Sequence, residues 1–199
     1  MKITFLKKHP SLYSCNVYFV QGTWNTISDV NTLIDVGTNG FVKDEIDRMS
    51  TGVGKKRLEQ VILTHEHFDH AGGLSEIKQF YKPKVYAFSF IDGVDYLAKD
   101  GMKLRIGDQE AEIIHTPGHS NDSICIYCAE EGALFSGDTP LNIKSPGGTY
   151  SSIFIEILKR LLSLKINSIY SGHDYPIISN VKEMLEMTLR NVKKSNVIS

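Results

Sequence analysis

Polar and apolar positions along the chain alternate between two periods. Short β-branched and aromatic runs bounded by turn residues predict strands at Lys2–Leu6, at Asn16–Val20 before Gln21-Gly22, and at Thr32–Asp35, which leads to Gly37. Val42–Ser50 reads as a helix, with Ile46 and Met49 at helical spacing. Gln60–Thr64 is a short apolar strand that runs directly into a polar knot, His65-Glu66-His67-Phe68-Asp69-His70. Leu74, Ile77, Phe80 and Tyr81 then recur at helical intervals and predict a helix with one buried face. Lys84–Phe88 is another strand, and Met102–His115, Ser123–Ala129 and Ala133–Ser136 read as antiparallel strands separated by turns. A helix at Ser152–Leu164, a strand at Ser168–Ser171 and a helix at Val181–Lys193 follow. This mixture predicts an α/β protein with two sheets, or one large mixed sheet, covered by helices. No long-period repeat and no Pro/Ser-rich linker interrupts it, so a single domain over residues 1–199 is expected.

Composition narrows the class without naming a function. Hydrophobic residues make up 41% and charged residues 23%, which excludes collagen, coiled coil and wholesale disorder. The formal charge is −1, so the strong basic bias of a nucleic-acid binder is missing, and no such partner is expected. No window approaches the roughly 18 consecutive apolar residues of a membrane span. The N-terminal apolar stretch is short and broken by Lys7 and Lys8. Three cysteines, Cys15, Cys125 and Cys128, do not make a disulfide framework. The expected location is therefore cytoplasmic.

The chemistry is concentrated in histidine and aspartate. Three of the 7 histidines and an aspartate fall within the six residues His65–His70, in a loop between a strand and a helix. On an extended segment His65 and His67 point to one side, and Asp69 and His70 follow as the chain turns. Neutral imidazoles with a carboxylate suit zinc, and also iron or manganese. Four such groups overfill one catalytic metal site, which keeps a position open, so two adjacent ions are the natural arrangement. Further candidates stand after short apolar strands and beside glycines: His119 in Thr116-Pro117-Gly118-His119-Ser120, Asp138 in Ser136-Gly137-Asp138-Thr139, and His173 in Ser171-Gly172-His173-Asp174. Other motifs carry less. His9 and His115 read as structural. Cys125 and Cys128 lie three apart on a strand and so face opposite ways. Gly52-Val53-Gly54-Lys55-Lys56 lacks the spacing of a phosphate loop.

In this order and at these intervals, HEHFDH, TPGHS, SGDT and SGHD resemble the metallo-β-lactamase-fold hydrolases, and Asp35-Val36-Gly37 resembles that family's early Asp-x-Gly segment. The resemblance implies a four-layer αββα sandwich of two mixed β-sheets flanked by helices, with the site at one edge. It implies that His65, His67 and His119 hold a first metal, that Asp69, His70 and His173 hold a second, and that Asp138 bridges them. Asp35 would orient a ligand without touching metal. Two Zn2+ ions, with iron or manganese as substitutes, would activate water. Asp69 and Asp138 would be the catalytic carboxylates of a hydrolase acting on an ester or thioester of a small molecule.

Within the family the pattern is nearest to hydroxyacylglutathione hydrolase-like and lactonase-like members without a C-terminal domain. The chain ends about 25 residues after His173, short of the helical domain that helps hold glutathione. Leu141 stands where lactonases carry tyrosine. Lys144, Tyr150 and Tyr175 are candidates for substrate contact. The competing expectation is a mononuclear iron oxidoreductase of the persulfide dioxygenase kind. Oligomeric state is open, a homodimer being one alternative.

Overall fold

The computed structural model describes residues 1–6 and 11–198; His9 lies outside the described residues. Among these, β1 (Lys2–Phe5), β2 (Tyr18–Gln21), β3 (Thr32–Ile34), β4 (Gln60–Ile62), β5 (Lys84–Ala87) and β6 (Tyr96–Leu97) pair in sequential order into one sheet. β1, β2 and β3 are antiparallel neighbours, whereas β3 to β6 run parallel, with Leu33 opposite Val61 and Ile34 opposite Ile62. The parallel crossovers carry α1 (Lys43–Arg48), α2 (Phe68–Ala71) and α3 (Leu74–Tyr81). A second sheet contains β7 (Lys103–Ile106), β8 (Gln109–His115), β9 (Ile124–Cys128) and β10 (Ala133–Gly137). After β11 (Thr149–Ser151) and α4 (Ser152–Leu162), β12 (Ser168–Ser171) returns parallel to β10 and completes this sheet, in the order β12-β10-β9-β8-β7. The chain continues through α5 (Val181–Lys193) to β13 (Asn196–Ile198), which pairs with β11.

Strand alternation sorts the apolar residues into three interiors, and these define the layers. Tyr18, Val20, Ile34 and Ile62 of the first sheet meet Ile113, Ile124, Ile126 and Phe135 of the second between the sheets. Their neighbours Phe19, Leu33, Val61 and Val85 point outward and pack beneath Ile46, Leu74 and Ile77 of the helices. Ile114, Cys125, Tyr127 and Leu134 point out of the second sheet against Phe154, Leu158 and Leu185 of α4 and α5. Strands covered on both faces read as unbroken apolar runs, which is why the central ones were conspicuous in the sequence. Cys125 and Cys128 fall in different interiors, and both are buried free thiols.

Two local expectations change. Phe80 was expected on the buried face of its helix, but it is 49% exposed beneath the Lys43 ammonium. Six helical steps carry it roughly 120° from Leu74, off the stripe shared by Leu74, Ile77 and Tyr81. The second strand begins at Tyr18 rather than Asn16 because the Asn16 backbone nitrogen donates to Gly172 O of the opposite sheet instead of a ladder partner. No described helix is long and apolar enough to cross a membrane.

Candidate metal centre

The two sheets each deliver donors to the same rim. β4 ends at Ile62, and after Leu63 and Thr64 the chain leaves the sheet as His65–His67 and then α2. α2 is one turn long, and it tucks Asp69 and His70 beneath the loop, where they are 5% and 0% exposed. From the second sheet, His119 follows β8, Asp138 follows β10 and His173 follows β12. All seven sequence-predicted ligands therefore meet, although they come from four separate parts of the chain.

Asp138 stands at the centre. Its Oδ1 lies 3.3 Å from His70 Nε2, and its Oδ2 lies 3.3 Å from His173 Nε2, 3.5 Å from His119 Nε2 and 4.0 Å from His65 Nε2. On one flank His119 Nε2 is 3.0 Å from His67 Nδ1. On the other, Asp69 Oδ2 is 3.1 Å from His173 Nε2 and 3.8 Å from His70 Nε2. The donors fall into compact sets, among them His65, His67 and His119, and Asp69, His70 and His173, each set within 4.8 Å.

Glycines make this closeness possible. A Cβ on Gly172 would lie 2.1 Å from Asp138 Oδ1 and 2.7 Å from His70 Cε1. Gly137, at φ +48°, brings β10 so near Thr64 that a Cβ would sit 2.5 Å from its hydroxyl.

Behind the donors lies a buried polar support. Asp35 follows β3 with φ +59°, and its carboxylate accepts from Thr64 N at 2.7 Å and Thr64 Oγ1 at 2.9 Å. Its Oδ2 is also 2.8 Å from His70 Nδ1. An imidazole that gives Nδ1–H to a carboxylate presents a lone pair at Nε2, the arrangement that prepares histidine for a metal. Burial works against charging His70, but Asp35 and Asp138 outweigh it and hold its pKa above the ordinary imidazole range. Burial, followed by the charge on His70, pushes His65 down to about 4. Burial raises Asp138, yet His70, His173 and His65 together draw it down to about 2. Cys15, in contact with the far side of this cluster, is pushed up to about 11 by burial and stays a thiol.

Whether these residues suit a metal is decided by two atoms. Nε2 of His65 and Nε2 of His70 are buried and make no hydrogen bond. A buried polar atom without a partner costs roughly 1–3 kcal/mol. Two of them facing one carboxylate inside an imidazole and carboxylate donor set fit divalent cations.

Other sequence candidates lie elsewhere. His115 stacks on Phe88 at 3.9 Å and its Nε2 bonds Asn121 O at 2.8 Å, away from the cluster. Lys55, in the Gly52–Lys56 turn, pairs with Glu59 at 3.4 Å. A cavity of about 300 Å³ opens beside the cluster, lined by His119, Asp138, Leu141, Asn142, His173 and Ile177 among others. Lys144, Tyr150 and Tyr175 do not line it; Tyr150 stacks on Phe154 and Tyr175 is 85% exposed. Tyr13, which no motif marks, stacks on His173 at 5.5 Å. Asn16 was also missed, although a polar residue opening the run Val17–Val20 was the available signal.

Comparison with known proteins agrees with this geometry. A probable hydroxyacylglutathione hydrolase of Schizosaccharomyces pombe is 36% identical over 162 residues, covering 78% of this chain and 59% of the relative. The atrochrysone carboxyl ACP thioesterase of Aspergillus fumigatus is 28% identical over 92% of this chain and 46% of its own length. The chain thus spans about half to three-fifths of the length of these curated relatives. Among solved structures, ETHE1 from Myxococcus xanthus superposes with a TM-score of 0.69 at 20% identity, over 97% of this chain and 90% of that one, a likeness of fold. The metallo-beta-lactamase superfamily model matches residues 11–93 and 86–173, a span that contains all seven converging donors, and the chain belongs to that superfamily.

Proposed function

We propose that this protein is a dinuclear metal-dependent hydrolase that cleaves an ester or thioester of a small molecule. His65, His67 and His119 would hold one ion, Asp69, His70 and His173 the other, and Asp138 would bridge them; zinc suits this donor set. The observation that carries the reading is the pair of buried Nε2 atoms on His65 and His70, neither in a hydrogen bond and both facing the Asp138 carboxylate. Ions bound there would supply a water of pKa about 7 and an electrophile for the substrate carbonyl.

The chain's own residues supply the rest. Asp35 accepts the Nδ1 proton of His70, so an ion that displaced the Nε2 proton would meet a lone pair there. Asp69, 5% exposed at the floor of the site, would orient the attacking water and accept its proton. The cavity beside His119 and His173 gives a small substrate access, and Leu141 and Ile177 provide its apolar wall. The thioesterase and the hydroxyacylglutathione hydrolase among the relatives support thioester cleavage. Both sheets close over one shared interior, from which we infer a single domain.

Asp138→Ala, assayed on generic thioesters and lactones with elemental analysis of the purified protein, tests this. Loss of turnover together with loss of metal is expected; unchanged turnover and metal content would remove the bridging role. Close to one iron per wild-type chain would favour the oxidoreductase instead.

A further inference from the structure

The segment leading into β2 touches both loops of one half of the centre. Cys15 N donates to Asp69 O at 3.1 Å, and Asn16 N donates to Gly172 O at 2.5 Å. The Asn16 side chain is buried and aims the same way: Nδ2 donates to Ser171 O at 2.9 Å and to Asp174 O at 2.7 Å. Two residues on, Tyr18 OH donates to Ser171 O at 2.7 Å, with its oxygen 3.2 Å from Asn16 Nδ2. The receiving turn is closed on itself, since Asp174 N donates to Ser171 Oγ at 3.1 Å. His173 lies inside this closed turn.

This matters because His173 and its neighbours Asp69 and His70 belong to different sheets. The 3.1 Å separation between His173 Nε2 and Asp69 Oδ2 depends on how the 171–174 turn is fixed to the first sheet. Asn16 makes that connection with both amide hydrogens, and the reverse amide orientation would set its oxygen against two carbonyls. The residue carries a cost that an apolar replacement would avoid, because Asn16 Oδ1 is buried without a partner.

We propose that Asn16 is a positioning residue for the His173 half of the centre, fixing that turn so that His173, Asp69 and His70 can share one ion. The inference rests on the two-ion reading above, and concerns one of its two positions. The first position, at His65, His67 and His119, takes no donor from the 171–174 turn and so does not depend on Asn16.

The test is a zinc titration of the metal-stripped full chain against a chromophoric chelator, with ions counted by elemental analysis. In Asn16→Ala one of the two ions should lose about 10- to 100-fold in affinity, while the other stays within about twofold of wild type. Tyr18→Phe, which keeps the ring and removes one bond to the turn, should weaken the same ion by roughly 2- to 10-fold. Asn31→Ala is the control: Asn31 Nδ2 donates to Thr51 O at 2.9 Å and Lys56 O at 3.1 Å, at the opposite end of β3. It should lower the melting temperature comparably and leave both ions in place. Equal weakening of both ions in Asn16→Ala, or none, would overturn the proposal. Should Asn16→Ala fail to fold, Tyr18→Phe decides alone, and an unchanged second ion there overturns it. Wild-type protein that binds fewer than two ions removes the two-ion reading, and this inference with it.

Discussion

Gly172 and Asp138 occupy space that a single methyl group would fill: a Cβ on the glycine would come within 2.1 Å of the carboxylate Oδ1. Gly172→Ala should therefore displace Asp138 or the turn carrying His173. We expect at least a tenfold loss of metal affinity, in line with the roughly 10- to 100-fold cost of disturbing a ligand's support. Overpacking should cost about 1–3 kcal/mol of stability. Chelator competition and thermal melting read the two effects, and wild-type metal uptake by the variant would contradict them.

Asp35→Asn keeps the shape but gives the side chain one donor where two donors of Thr64 and His70 Nδ1 converge. A buried amide cannot accept all three, so about 1–3 kcal/mol of stability should be lost. Metal should bind more weakly even in the variant that remains folded, and calorimetric titration would detect this. Equal metal affinity in the two proteins would show that His70 needs no such support.

His115 and His119 are four residues apart and should behave oppositely on mutation. His115→Ala removes a ring stacked on Phe88 at 3.9 Å and should cost about 1 kcal/mol while leaving metal content untouched. His119→Ala should remove metal with a smaller effect on the fold. Elemental analysis beside denaturant unfolding separates them; metal loss in His115→Ala would contradict the assignment.

Acid should act through Asp100 at the outer face of β8. Burial pushes its pKa up, but the His115 amide at 2.8 Å and the Arg160 guanidinium at 2.7 Å outweigh that and hold it below the ordinary carboxylate range. A lowered folded-state pKa means the stabilisation is complete above the unfolded value of about 3.9 and fades as pH falls through the folded one. Its side chain is 49% exposed, so solvent screening limits the contribution to about 1 kcal/mol. Asp100→Asn should be less stable than wild type at pH 7, and the gap should close below about pH 4. A gap that widens in acid would reverse the sign.

What the sequence made legible follows from where side chains are buried. Runs such as Ile124–Cys128 and Ala133–Gly137 are covered on both faces, so they stand out as apolar blocks. The candidate ligands were visible because their chemistry is rare and each group follows such a block. β11 and β13 escaped notice because they are three-residue strands on the surface, and Val197 and Ile198 are half-exposed, so no alternation is imposed on them. Asn16 and Tyr13 escaped for a different reason. Their partners Ser171, Asp174 and His173 lie more than 150 residues away, and nothing in a local window records that contact.

The donors divide between the two halves of the sandwich, four after β4 and three on loops of the opposing sheet. Under the two-ion reading, the reactive centre is also a seam. Ions that bind only the assembled form shift the folding equilibrium toward it, so heat tolerance would rise and fall with the supply of metal in the surroundings. A cell starved of zinc would then lose more than turnover: it would hold a looser protein, more open to proteases at the one rim where the halves are stitched.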